Sequence, residues 1–565
     1  MAHRLDLVLM WHMHQPDYRD YVSGEFTQPW VYLHALKDYS DMAAHLERHR
    51  NMRAVVNLVP VLLDQIEDYA EQFAAGEVRD PLLRLLRRDE GTSLSENERQ
   101  FIVDTCFNAN HEKMVVPYPA YQRLHDLLAS LERHHPDAVL YLSDRYYYDL
   151  IVWYHLAWTG ETVRRNAEIV TQLISIGMAF TQQQRLALYN LIGEIVSGII
   201  PRYAALAQSG RVELSATPHF HPLAPLLLDF SSAREARPSF PLPTARTYPG
   251  GQARVRFHVE AAMDSHTKRF GKKPEGVWPA EGAVSTAFLN LLGDMGCRWT
   301  ASSEGVLANS LRSGAEAPVD SEHWLYQPWK LRSGGPVVFF RDDRLSDLIG
   351  FEYAKWHSRD AALNFMAELE AIAEKVGNED SVKPPLVSVI LDGENCWEYY
   401  PYNGFYFVEA LYAALEMHER IRSTTFAEVV NTRSHMPASL DKLVAGSWVH
   451  GDFGTWIGSA EKNKAWDLLV EAKHCFDLVI ESGRLNEEEV QAAARQLASC
   501  ESSDWFWWLG DYNPAEAVAR FDQLYRDNLA RLYRLLKLPE PHVLTQALSK
   551  GSGTPEAGGA MRRAN

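Results

Sequence analysis

Cysteine is scarce: Cys106, Cys297, Cys396, Cys475 and Cys500 are five in 565 residues, with no Cys-x-x-Cys among them. So few and so scattered, they argue against a disulfide framework and against a thiolate zinc knuckle. No apolar run approaches the roughly 20 residues that a membrane-spanning helix needs. The N-terminus lacks a basic region, an apolar core and a small-residue cleavage site in succession, so a soluble, cytoplasmic chain is expected. Positive charge is short as well: 56 Lys+Arg against 74 Asp+Glu leaves a net charge of −18, which disfavours nucleic acid as a partner. No Gly-x-Gly-x-x-Gly follows an early strand, so a dinucleotide fold loses support. No internal repeat is visible. What is plentiful is apolar and aromatic: 46% of residues are hydrophobic, with 16 Trp and 25 Tyr. That composition makes a core-forming chain of several units or one elaborated barrel. Its aromatic faces suit a neutral, sugar-like partner, although most Trp residues in a chain this long belong to the core.

Seven short apolar, β-branched runs end abruptly in polar residues: 5–14, 54–60, 211–219, 276–281, 298–303, 336–342 and 385–392. Helical-period stretches such as 284–293 and 361–376 lie between most of them. This alternation predicts an α/β fold, a parallel (β/α)7-type barrel. The polar endings carry His12 and His14, then His219 and His221, then Trp278 and Glu281, then Glu304, then Asp342, then Asp392 and Glu394. In a parallel barrel, the carboxyl ends of the strands build the active site, so these residues would meet at one mouth.

Side chains two apart on a strand face the same way, which pairs His12 with His14 and His219 with His221. Two chemistries fit. His-x-His closing the first barrel strand, with further histidines and an aspartate, is how metal-dependent barrel amidohydrolases hold zinc. Alternatively the imidazoles donate to sugar hydroxyls without any metal, and two carboxyl groups, Glu281 and Asp392, cleave a glycosidic bond between them.

Five blocks in order then bear a resemblance to glycoside hydrolase family 57: 12–16, 213–222, 278–285, 391–404 (LDGENCWEYYPYNG) and 454–466 (GTWIGSAEKNKAW). The His-Gln-Pro ending and the doubled His219-x-His221 look more like its α-amylase and amylopullulanase-like members than its branching enzymes. The resemblance implies a seven-fold β/α barrel with a helical C-terminal region, acting on α-glucans or maltooligosaccharides with retention and without a metal or other cofactor. It also implies that Glu281 is the nucleophile and Asp392 the acid/base. A hydrolase cutting α-1,4 linkages, with α-1,6 left open, is the first reading. A 4-α-glucanotransferase on the same scaffold is the alternative.

Other residues have weaker claims. Glu394 would hold Asp392 protonated by like-charge repulsion or serve as a structural carboxylate paired with Arg341 or a backbone amide. Asp342 would bind sugar hydroxyls or close a turn. Trp278, Trp397, Tyr399, Tyr400 and Trp507 are sugar platforms or packing, and Glu213 an internal hydrogen bond. Asp452 and Trp456, beside Glu461 and a glycine-rich turn, would form a subsite. The expected domains are a barrel over 1–405 with a mostly helical insertion at about 61–205, then a helical region over 406–545 that completes the groove. Asn513 and Pro514 start its last helix. A Gly/Ser/Pro-rich tail, 546–565, is expected to be disordered. Oligomeric state stays open.

Overall fold

The computed structural model describes residues 5–89, 91–135, 137–313, 324–376 and 384–564; Asn565, the end of the expected tail, lies outside them. The strands are β1 (Leu5–Met13), β2 (Ala54–Leu58), β3 (Val212–Ser215), β4 (Gly276–Val277), β5 (Trp299–Ser303), β6 (Trp329–Leu331), β7 (Val337–Arg341), β8 (Leu386–Asp392), β9 (Ile421–Thr424) and β10 (Ala438–Leu440). All seven expected runs are strands. They pair in parallel in two arcs, β3-β2-β1-β8 and β4-β5-β7. Two seams join the arcs: a parallel bridge of Ala216 to Val277, and a hydrogen bond from Asp342 N to Ser388 O at 2.8 Å. The result is a seven-stranded (β/α) barrel.

Strand alternation decides what faces inward. Val8, Met10, Val55, Trp299, Ala301, Phe339, Leu386 and Ile390 fill the interior, and Phe426 and Val429 plug its floor. Leu7, Leu9, Trp11 and Met13, of the opposite parity, pack outward against the helices. His12 and Asp392 therefore continue the inward rows to the rim. Gly276 is needed where the Trp299 indole crosses β4, since a Cβ there would lie 1.8 Å from the ring.

Between β2 and β3 the chain is helical, as expected. The helices Glu96–Cys106 and Gln182–Gln208 each open on a reciprocal capping box, from Ser95 with Glu98 and from Thr181 with Gln184. After β8 the expectation of an all-helical region needs correction, because β9 pairs β1 and β10 pairs β6. Such edge strands of three or four residues are too short to show a period. The last long helix, Ala515–Leu535, begins one residue later than expected, with Pro514 at its cap. The Asn513 amide instead donates to the carbonyls of Trp507 and Trp508. Its apolar stripe, from Phe521 to Leu536, is buried as the period requires.

The tail is also corrected. Leu548 N and Ser549 N donate to Asp522 Oδ1, Gly553 N to Asn513 O, and Ala564 N to Asp347 Oδ2, while Met561 and Ala564 are buried. Its glycines permit close approach here: a Cβ at Gly553 would sit 1.7 Å from Tyr512 O. Among the described residues, no helix is long and apolar enough to cross a membrane.

Candidate active site

A cavity of about 440 Å³ opens at the carboxyl ends of the strands, within the usual range of ~300–1,000 Å³ for small-ligand clefts. His12, His14, His221, Glu281, Asp392 and Glu394 all line it. The histidines form a stack, with His221 3.8 Å from His14 and 5.2 Å from His12 between ring centres. His12 Nδ1 lies 2.7 Å from Asn57 Oδ1, which also accepts from Thr217 Oγ1, while the Asn57 amide donates to Ser215. The Nδ1–H tautomer satisfies that network. Burial and the neighbouring His14 pull the His12 pKa down to about 3. His12 is thus neutral and offers a lone pair, not a proton, at Nε2.

Glu281 follows β4 in a tight Ala280–Gly282 turn with left-handed backbone, φ 59° and ψ 22°. A non-glycine residue pays about 1–2 kcal/mol for that conformation, and such strain collects where a side chain must be aimed. Here it points the carboxylate at two donors: Ser503 Oγ–H to Oε1 at 2.9 Å and Trp448 Nε1–H to Oε2 at 3.1 Å. His221, itself left-handed at φ 57°, lies 2.8 Å from Ser503 Oγ through Nδ1. The relay His221 to Ser503 to Glu281 leaves His221 Nε2 buried without a partner. Burial, with Asp504 and Asp392 close by, nevertheless pushes Glu281 up to about 8. Burial raises Asp392 to about 6, against the Asn395 hydrogen bond at 2.9 Å and the pull of His14 and Arg341.

Glu394 accepts from the His14 backbone N–H at 3.1 Å, and its Oε2 is buried without a partner. Burial and the Asp392 charge push its pKa well above the usual carboxylate range. His14 Nε2 meets both oxygens of Asp504, at 2.9 and 3.0 Å. Ser503, Asp504, Trp448, Trp30 and Trp158 escaped the sequence reading. Ser503-Asp504 lie just before Trp507, and Trp448 precedes the fifth block, so both lay beside flagged residues.

The Glycosyl hydrolase family 57 model matches residues 8–441. The chain belongs to this family. No curated protein is a significant match to it in sequence. Among solved structures, the family 57 branching enzyme of Thermococcus kodakaraensis is similar at TM-score 0.56 and 15% identity over 94% of this chain and 89% of its own. The α-amylase AmyC of Thermotoga maritima gives 0.56 and 12% over 95% and 93%. The branching enzyme of Pyrococcus horikoshii gives 0.52 and 16% over 99% of each. At such identities the likeness is one of fold, and amylases and branching enzymes share it.

On this family 57 scaffold, several expected subsite residues lie away from the cavity. His219 turns to Asp64, 2.8 Å away, because β3 ends at Ser215 and the two histidines lie beyond it in a turn closed by His221 N to Pro218 O, where strand alternation no longer pairs them. Trp278 and Trp397 are fully buried packing residues, the latter donating to Gly393 O. Asp342 caps the helix Asp343–Asp347 through Leu345 N. Asp452 accepts from Gly454 N and faces Arg237 at 3.5 Å. Trp456 is 0% exposed and packs 5.8 Å from Trp507, which does line the cavity. Glu213, within the barrel, accepts from Trp299 Nε1 and Ala427 N. For a metal, the described residues offer His14, His221 and Asp504, whose donor atoms lie within 4.8 Å of one another; His12 is not one of that group.

Proposed function

We propose that the protein is a retaining α-glucan-active enzyme with Glu281 as nucleophile and Asp392 as acid/base. The observation that carries this is the Glu281 carboxylate, strained into a left-handed turn and held at both oxygens by Ser503 and Trp448, in one cavity with Asp392. Glu281 attacks the anomeric carbon as the glycosidic C–O bond breaks, and Asp392 gives its proton to the departing oxygen. Asp392 then takes a proton from water, or from a second glucan, whose oxygen displaces Glu281 and restores the α-configuration. Trp30, Tyr399, Trp507 and Trp508 along the wall supply faces for sugar rings. Family membership and neighbours described as an α-amylase and as branching enzymes support an α-glucan substrate.

The test follows the anomeric configuration of the first product from a maltooligosaccharide by NMR. An α-product is expected, and a β-product would overturn the double displacement. Product lengths from the same reaction decide between hydrolysis, which yields shorter oligomers alone, and transfer, which yields longer ones too. The His14–His221–Asp504 group makes a metal hydrolase the second reading. Activity abolished by chelation and restored by a transition metal would establish it over ours.

A further inference from the structure

The family 57 match ends at residue 441, yet the far wall of the cavity is built by the last residues of the chain. Ala557, Gly558, Ala560, Met561 and Arg562 line it together with Trp507, Trp508 and Phe521. The segment is tied in place from both sides. Trp507 Nε1 donates to Gly559 O at 2.8 Å, His450 N donates to Ala564 O at 2.8 Å, and Arg563 pairs with Glu556 and Glu352. The barrel side is thereby linked, through Asp347 and Glu352, to the helical side through Trp507.

Arg562 is the chemical feature of this wall. Its guanidinium lies 3.7 Å from the Tyr512 ring centre and 5.1 Å from that of Trp507. Only Nη1 has a polar contact, Thr455 Oγ1 at 3.4 Å, while Nε and Nη2 are buried with no partner. Buried guanidinium N–H groups left open cost free energy unless something fills them. Among the described residues no carboxylate is paired with this guanidinium, although the Glu281 charge is felt there. An open fork of donors beside aromatic faces matches adjacent hydroxyls on a sugar ring, which accept in pairs while the ring stacks.

We propose that this tail is a specificity element: 557–561 close one side of the sugar groove, and Arg562 donates to glucosyl hydroxyls, so that short maltooligosaccharides are favoured over polymer. The inference rests on the α-glucan reading above. The experiment compares the full-length enzyme with a chain ending at Ser549, which keeps the Asp522 contacts, and with R562A and R562K in the intact chain. kcat and KM are measured on maltotriose and on soluble starch, with melting temperature as a folding control. Shortening is expected to raise the starch-to-maltotriose ratio of kcat/KM about tenfold or more. R562A is expected to raise KM for maltotriose about tenfold, the scale of one hydrogen bond from a charged group, with kcat less affected and R562K intermediate. A folded, shortened enzyme with an unchanged ratio overturns the wall. If the shortened chain does not fold, R562A decides, and a KM within about twofold of wild type overturns the proposal. A wild type inactive on every α-glucan overturns the proposed function and this inference together; an active wild type with unaffected variants overturns this inference alone.

Discussion

The buried histidine–carboxylate clusters around Glu501 and at the barrel mouth are built on opposite principles. Around Glu501 every demand is met: Arg254 donates to both oxygens at 2.8 and 2.7 Å, His258 Nε2 sits 2.7 Å from Oε2, and Tyr248 donates to Oε1 at 2.6 Å. Burial works against that charge, yet Arg254 and His258 hold the carboxyl below its usual range. At the barrel mouth, Glu281, Asp392, Glu394 and Asp504 share one cavity with neutral His12 and His221, and burial raises Glu281, Asp392 and Glu394 alike. Partner atoms are missing there too, at His221 Nε2, His14 Nδ1 and Glu394 Oε2. The first cluster is internally satisfied and the second is not, the electrostatic difference expected between a structural ion pair and the reactive site proposed above.

The largest effect should separate the two clusters by what fails. Glu281→Ala is expected to lower kcat at least on the order of 10⁴-fold, since no other group replaces a nucleophile, with azide restoring part of it as a β-configured product. Asp392→Asn should lose about 10²–10⁴-fold on natural glucans and less on substrates with activated leaving groups. Both should still fold and unfold in one cooperative transition. Glu501→Gln should do the reverse, costing about 3–5 kcal/mol in denaturant unfolding because Arg254 is left buried and uncompensated, with activity per folded molecule retained. Near-normal turnover in Glu281→Ala, or wild-type stability in Glu501→Gln, would erase the contrast.

The pH profile sharpens it further. With Asp392 at about 6 and Glu281 at about 8, kcat/KM is expected to be bell-shaped, with limbs near those values that belong to the pair. Because Glu281 holds its proton more tightly, the reactive form, Glu281 ionised and Asp392 protonated, is the minor one at the maximum. A profile flat from pH 5 to 9 would mean the two carboxyls do not govern the reaction.

The sequence told more about the barrel than about the pocket, for a physical reason. Strands and their polar ends are local, so β1 to β5, β7 and β8 could be read from period and composition, and Glu281 and Asp392 from where the runs stop; β6, three residues long, could not. Subsites are made by folding distant segments together. Ser503 reaches Glu281 across 222 positions and Trp448 across 167. Left-handed residues are equally hidden: nothing in the letters around His221 says that it will turn away from His219. Trp278, Trp397 and Trp456 looked like platforms because tryptophan serves core and sugar equally well, and only burial separates them. The tail misled because Gly, Ser and Pro mark disorder and close backbone packing alike.

The smallest effect is the most specific to the contrast, since it reads the charge itself in the resting protein. Glu281 has a folded pKa raised from 4.5 to about 8, so the native state holds a proton that the unfolded chain gives up. Its contribution to stability is therefore present below about pH 4.5 and is lost as pH rises towards 8, at roughly 1 kcal/mol per pH unit. Glu501 has the opposite sign: its depressed pKa contributes stability above the ordinary glutamate range and loses it only in acid. Glu281→Gln removes the first slope and can keep the geometry, because its amide oxygen can accept from Trp448 while its NH₂ donates to Ser503 Oγ. The variant should match wild type in unfolding free energy near pH 5 and exceed it near pH 8, without ligand at either pH. If wild type and Glu281→Gln instead run parallel from pH 5 to 8, the free site does not hold the nucleophile protonated, and the crowding inferred for the barrel mouth is wrong.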